Sequence, residues 1–209
     1  MSNGGEGGEA SLSADASVGG AGGATAPATS NGGACSTGQP QVCGGCPPGQ
    51  ILSSAHYPSS WANDNSIGSY SWDLHASEPV VRTMTAGGTS SYLKVTGFGY
   101  SLPANAVIGG IYVQWDRRIS YSNTIVDNAV RIVKDGVVQS ADRSATDFWP
   151  SPLFDAKQYG GATDLWGVPW TAADINSTGF GTALSAKYAA SSGNDSPSVP
   201  LVAVYVCYQ

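Results

Sequence analysis

A compositional boundary near residue 50 constrains this chain of 209 residues more than any motif does. Residues 1–50 hold 14 of the 28 glycines and no aromatic residue, lysine or arginine. The first aromatic is Tyr57, and the first basic residue is Arg82. Up to residue 34 the chain reads MSNGGEGGEASLSADASVGGAGGATAPATSNGGA, with Leu12 and Val18 as its larger aliphatics. Such a stretch cannot bury enough apolar surface to offset the entropy of ordering it. It reads as a Gly/Ala/Ser-rich arm, residues 1–50, ahead of a domain over residues 51–209. Alone, the arm is a flexible tether. In an assembly it can lie on neighbouring subunits, since about 50 extended residues reach roughly 165 Å at ~3.3 Å each.

Charge divides along the same boundary. Glu6, Glu9, Asp15, Asp64, Asp73 and Glu78 precede Arg82, and from there on nine acids face nine bases. The net charge of −6 therefore belongs to the first 81 residues. Charged residues make up 11% of the chain, against about a quarter in an average soluble protein. An acidic, charge-poor chain cannot hold a polyanion, so no nucleic-acid partner is expected. No run of 18 apolar residues exists, so no membrane insertion is expected. The opening MSNGGEGGEA has neither the positive nor the apolar region of a secretory signal. Export then occurs after removal of a leader, or by lysis or assembly into a particle.

Four cysteines, Cys35, Cys43, Cys46 and Cys207, make an even set with three possible pairings. Three cluster in CSTGQPQVCGGCPPGQ at the seam between arm and domain, and the fourth lies close to the C-terminus. A bond from the seam to Cys207 would pin the root of the arm to the last strand. CGGC also has zinc-ligand spacing, but a second CxxC and a nearby histidine are missing, and free thiols are the remaining option. Disulfides would place the working protein in an oxidising medium.

Within the domain the patterns are those of strands and turns. GGIYVQWDRRI alternates Ile111, Val113 and Trp115 against Tyr112, Gln114 and Asp116. AVRIVKDGVVQS places two apolar runs around Asp135-Gly136, a hairpin signal. FGTALSAKYAA puts Phe180, Thr182, Leu184, Ala186 and Tyr188 on one side, and PLVAVYVCYQ suits a buried strand. SSYLKVTGFGYSL adds Leu93 and Val95. Helical periodicity is confined to WTAADINSTGF, where Thr171 can cap the amide of Asp174. Pro103 is expected to start a turn from which Ala106 re-enters the sheet, and Gly109-Gly110 to allow a bulge or close approach. Trp166, Trp170 and Phe180 should staple a short connection to the sheet edge. The fold expected is all-β, an antiparallel β-sandwich.

GFGYSLPANAVIGGIYVQWDRR, NAVRIVKDG, YGGATDLWGVPWTAADINSTGFGTALSAKY and a terminal VAVYVCY follow one another in that order. The domain thereby resembles a jelly-roll-type β-sandwich module of tailed-phage virion proteins and secreted bacterial proteins. The likeness covers about residues 88–209, with DLWG and IxGIxV its most specific parts; the cysteine-bearing arm lies outside it. It implies a sandwich fold and a setting in particles or extracellular assemblies, and it carries no catalytic residues.

A hydrolase should show a nucleophile, a base and an orienting group. The histidines are His56 and His75, and no GxSxG is present. Asp127, Asp135, Asp142, Asp147, Asp155, Asp164 and Asp174 suit turns. Asp116, beside Arg117 and Arg118, reads as one half of an ion pair. The oxygens of Asn63-Asp64-Asn65 and Asn194-Asp195 could hold a loop calcium, though neither run approaches an EF-hand; no other cofactor is expected. Sugar binding is the competing chemistry. Tyr57, Trp61, Asn63, Asp64, Asn65, Tyr70 and Trp72 gather aromatics for stacking and polar groups for hydroxyls in one loop-rich stretch. Burial is the other use of Trp61 and Trp72. The leading expectation is a non-enzymatic structural protein of a virion or other extracellular assembly, a decoration, fibre or tail-associated module. Its arm would contact copies of itself or other structural subunits. The alternative is a secreted, surface-tethered glycan-binding module.

Overall fold

The computed structural model describes residues 45–209 apart from Ser77 and Ser122. Most of the arm, with Cys35 and Cys43, lies outside the described residues. The strands are Ile51–Leu52 (β1), Ser60–Asp64 (β2), Met84–Thr85 (β3), Tyr92–Thr96 (β4), Ile108–Arg118 (β5), Ile125–Lys134 (β6), Val137–Asp142 (β7), Asp155–Gly161 (β8), Gly181–Tyr188 (β9), Asn194–Asp195 (β10) and Ser198–Tyr208 (β11). The helix α1 covers Ala172–Asn176. One sheet has the order β1-β11-β5-β8, a second β2-β4-β9-β6-β7, and β10 pairs with β3. Every pairing between these strands is antiparallel. Among the described residues no helix is long and apolar enough to cross a membrane.

The period of two explains how the sheets meet. On β5, Ile111, Val113 and Trp115 face inward, and on β11 Val202, Val204 and Val206 do the same. They share one buried cluster with Leu93 and Val95 of β4, Ile132 of β6 and Leu184 of β9. The alternate residues, Tyr112, Ala203, Tyr205 and Cys207, form a separate cluster on the outer face of the first sheet.

Local chemistry positions the turns. Asp135 and Gly136, at φ 52° and 77°, close the β6–β7 hairpin with Lys134 opposite Val137. The Ala106 amide donates to the Pro103 carbonyl at 2.9 Å, where the chain leaves β4 in one sheet for β5 in the other. Cys207 pairs with Gly110 but Tyr208 with Ile108, so Gly109 is the extra residue of a bulge. A Cβ at Gly110 would strike the backbone of Ala162. Thr171 and Asp174 form a reciprocal capping box at the start of α1. Trp166 donates from its indole to the Ile111 carbonyl at 3.1 Å, and Trp170 meets Phe180 edge-on at 5.4 Å.

The structure differs from the sequence expectation at two points. Ser60–Asp64, within the stretch read as loop-rich, is a strand that pairs with β4, Trp61 opposite Val95. Asp116 is not paired with its arginine neighbours. Consecutive strand residues point to opposite faces, so Arg117 enters the core while Asp116 accepts from the Gln114 amide at 2.9 Å. Arg118 turns to Glu78 instead, its Nε donating at 2.9 Å.

Candidate functional site

Residues from four connections meet in one cleft of about 360 Å³. Glu78 and Val80 come from the stretch before β3, Ser120 from the β5–β6 loop, Pro152 from the β7–β8 loop and Ser196 from beside β10. Arg118 spans the cleft, donating to Glu78 and, at 3.1 Å, to the Ser198 hydroxyl. The guanidinium side chain keeps 43% of its exposure. The pair is charge-balanced, and the cleft offers hydroxyls and a guanidinium edge beside apolar walls.

Asp195 shapes the wall formed by the β5–β6 loop. Its carboxylate is buried and accepts from the amides of Ser120 at 2.9 Å, Tyr121 at 3.1 Å and Ser196 at 2.7 Å. The Thr124 hydroxyl donates to it as well. With its oxygens used in this way, Asp195 serves as a loop organiser. The β5–β6 and β7–β8 loops are tied side by side, the Ile119 amide to the Pro150 carbonyl at 2.9 Å and the Ser151 hydroxyl to the Ser120 carbonyl at 3.1 Å. On these two loops Tyr121, Phe148, Leu153 and Phe154 are all exposed, Leu153 to 77%.

The residues singled out for sugar binding are dispersed by the fold. Trp72 is buried and donates from its indole to the Ser91 carbonyl at 3.0 Å. Asn63 clamps the Trp72 backbone with both ends of its amide, at 2.8 and 2.9 Å. Asp64 accepts from the Ser66 amide at 3.1 Å. Hydrogen bonding from Ser66, by its side chain and then its amide, and after it the nearby Lys94 ammonium hold the Asp64 carboxyl below its ordinary pKa. Asn65 accepts from the Ser91 hydroxyl at 2.7 Å. Tyr57 is exposed, and Trp61, half-buried, lines a second cleft of about 430 Å³ with Leu74, Ala76, Pro79 and Pro200. Ala76 belongs to both clefts, so the 73–80 loop forms a ridge between them. Trp61 lies at this cleft, and Tyr70, also half-buried, lines a further cleft of about 500 Å³ with Trp72.

The histidines serve the scaffold or the surface. His56 bonds the Phe98 carbonyl through Nδ1 at 2.9 Å and stacks on Tyr100 at 3.9 Å between ring centres. His75 is exposed, its amide donating to Asp73. No group of three or more His, Cys, Asp or Glu able to hold a metal occurs among the described residues.

Sequence reading missed a buried ionic cluster between the sheets. Arg117, fully buried, donates to Asp127 at 2.9 Å, to the Tyr159 hydroxyl at 3.0 Å and to Asp147 at 2.9 Å. Asp127 also accepts from the Trp149 indole, the Tyr159 hydroxyl and the Ala145 amide. The guanidinium lies over the Trp149 ring at 5.6 Å. Burial pushes the Tyr159 hydroxyl far above its ordinary pKa, so it remains a neutral donor. The cluster fastens the β7–β8 connection, which carries the exposed loop tip, to β5, β6 and β8.

The root of the arm is covalently fixed. Cys46 is bonded to Cys207, with 5.6 Å between the Cα atoms. The Tyr112 hydroxyl donates to the Gly45 carbonyl at 2.8 Å. A scan of family models, a search of curated proteins and a search of solved structures each found no match to this chain.

Proposed function

We propose that this chain is a non-enzymatic structural module of an extracellular assembly, of the decoration, fibre or tail-associated kind, whose arm contacts neighbouring subunits. The observation that carries the reading is the fastened root. Cys46 is bonded to β11, which lies between β1 and β5 inside its sheet. Tension on an arm held by a neighbour would pass straight into that sheet. A disulfide in the working protein also favours an oxidising, extracellular setting.

The strand order supports the jelly-roll form of this reading. A jelly roll winds eight strands into two four-stranded sheets. Here β1-β11-β5-β8 lies on one side and β4-β9-β6-β7 on the other, with β2 added outside β4. Successive strands from β4 to β11 repeatedly change sheet, as Greek-key winding requires. Deleting residues 1–34 tests the function. Self-association followed by sedimentation velocity should be lost while the near-ultraviolet circular dichroism of the domain is kept. Unchanged association would refute the reading.

A second reading, glycan binding, is favoured by the Trp61 cleft. An indole beside two prolines can stack on a sugar face, with the polar cleft across the ridge taking hydroxyls. Trp61→Ala should abolish binding seen on a broad glycan array, and an array with no bound glycan removes this reading. Trp72→Ala is a poorer probe, because Trp72 is core.

A further inference from the structure

Three extended segments share one face at the cleft beside the 73–80 loop. Ser198 of β11 stands opposite Arg118 of β5 in the sheet register. On its other side an antiparallel bridge sets Val80 opposite Ser198. The Val81 amide donates to the Pro197 carbonyl and the Val199 amide to the Pro79 carbonyl, both at 3.0 Å, which fixes that alignment. Residues directly opposite one another share a face, so Arg118, Ser198 and Val80 form a row, and all three line the cleft of about 360 Å³. Glu78, two residues before Val80, and Ser120, two residues after Arg118, line it as well.

The hydrogen bonding of this row is incomplete in a matched way. Arg118 uses Nε toward Glu78 and the Ser198 hydroxyl, and Nη2 toward Glu78. Glu78 accepts both bonds on Oε1. Among the described residues, Nη1 of Arg118 and Oε2 of Glu78 have no partner. The Ser120 backbone is bonded to Asp195 and Ser151, and its hydroxyl is free in the same sense. The side chains of Arg118 and Glu78 are 43% and 17% exposed, so solvent reaches both. They are the charged residues of the lining, and they balance.

We propose that this cleft binds a vicinal diol of an uncharged sugar, one hydroxyl donating to Glu78 Oε2 and its neighbour accepting from Arg118 Nη1. A hydroxyl both donates and accepts, which suits a site offering a carboxylate oxygen beside a guanidinium N–H. Hydrogen bonds to charged groups are the stronger kind. An anion would meet the Glu78 carboxylate and a cation the Arg118 guanidinium, so the balance selects a neutral ligand. Val80 and Pro152 supply apolar wall for the C–H face of a ring. The volume falls within the range of roughly 300–1,000 Å³ usual for small-ligand clefts. Glu78 and Ser198 already hold the guanidinium, and Asp195 holds the Ser120 wall, so little is left to order on binding. The inference rests on the glycan reading and deepens it, naming the ligand class and placing polar recognition at Glu78 and Arg118.

The full-length oxidised protein on an array of neutral glycans and their sialylated or uronic-acid counterparts tests the site. The wild type should bind neutral members and reject the acidic counterparts. Glu78→Gln keeps the shape but leaves Arg118 uncompensated, so neutral binding should fall about tenfold and acidic binding should appear. Ser120→Trp, at an exposed position, would fill the cleft and should abolish binding with the melting temperature unchanged. Wild-type binding of acidic glycans as tight as that of neutral ones would overturn the proposal. So would neutral binding that survives both variants. If Trp61→Ala removes binding and these two variants do not, the glycan reading stands and this inference falls. An array with no bound glycan removes both.

Discussion

Arg117 and Asp127 show how much a single inward charge commits in this fold. Each is fully buried at its side chain, and the two pair at 2.9 Å. Truncating one leaves an uncompensated ion in a medium that solvates it poorly. Asp127→Ala is therefore expected to destabilise the domain by about 3–5 kcal/mol, measured as the loss in urea-unfolding free energy. Asp116 acts in the opposite sense. Its folded-state pKa lies above the ordinary 3.8, so the folded state binds its proton more tightly than the unfolded chain. Stability consequently falls as pH rises from 3.8 through the raised value. Asp116→Asn should raise the melting temperature at about pH 7 and leave it unchanged at about pH 3. At this scale the alternation in GGIYVQWDRRI puts Ile111, Val113 and Trp115 on one face, and the same count carries Arg117 to that face, which the structure buries. Adjacency of charge alone points to a pair with Asp116, and the pleat overrides it.

At the scale of elements, strands with apolar alternation were legible and low-propensity edge strands were not. β5, β9 and β11 carry Ile, Val, Leu and aromatic residues in period two, and the β6–β7 hairpin carries Asp-Gly. β8, reading DAKQYGG, has Tyr159 as its core residue and, among the described strands, pairs with β5 alone, so its own sequence says little. β2, SWAND, lies at the other sheet's edge and depends on β4 for its partners. The candidate site was harder still, since its cleft joins residues from Glu78 to Ser196 that no spacing relates. Of the residues expected at a sugar site, Asn63 and Trp72 meet as partners of each other. The cysteine count showed an even set and left the pairing open, and the structure bonds Cys46 to Cys207 over a separation of 161 residues. Closing so long a loop restricts the unfolded chain. Cys207→Ser is expected to cost about 2–4 kcal/mol of unfolding free energy, read from the shift of the urea midpoint at constant slope.

For the molecule as a whole, the compositional boundary and the covalent one nearly coincide. The glycine-rich, acid-bearing stretch ends where Cys46 fastens the chain to β11, and the strands begin at Ile51. Tyr121, Phe148, Leu153 and Phe154 stand exposed on the adjoining β5–β6 and β7–β8 loops. Assembly through the arm is the claim on which the functional reading turns. Hydrogen exchange of residues 1–34 in the full-length protein, followed from dilute to concentrated solution, tests it most directly. Protection within 1–34 is expected to rise with concentration, in step with a growing sedimentation coefficient. Exchange in 1–34 that stays fast and independent of concentration would contradict assembly through the arm.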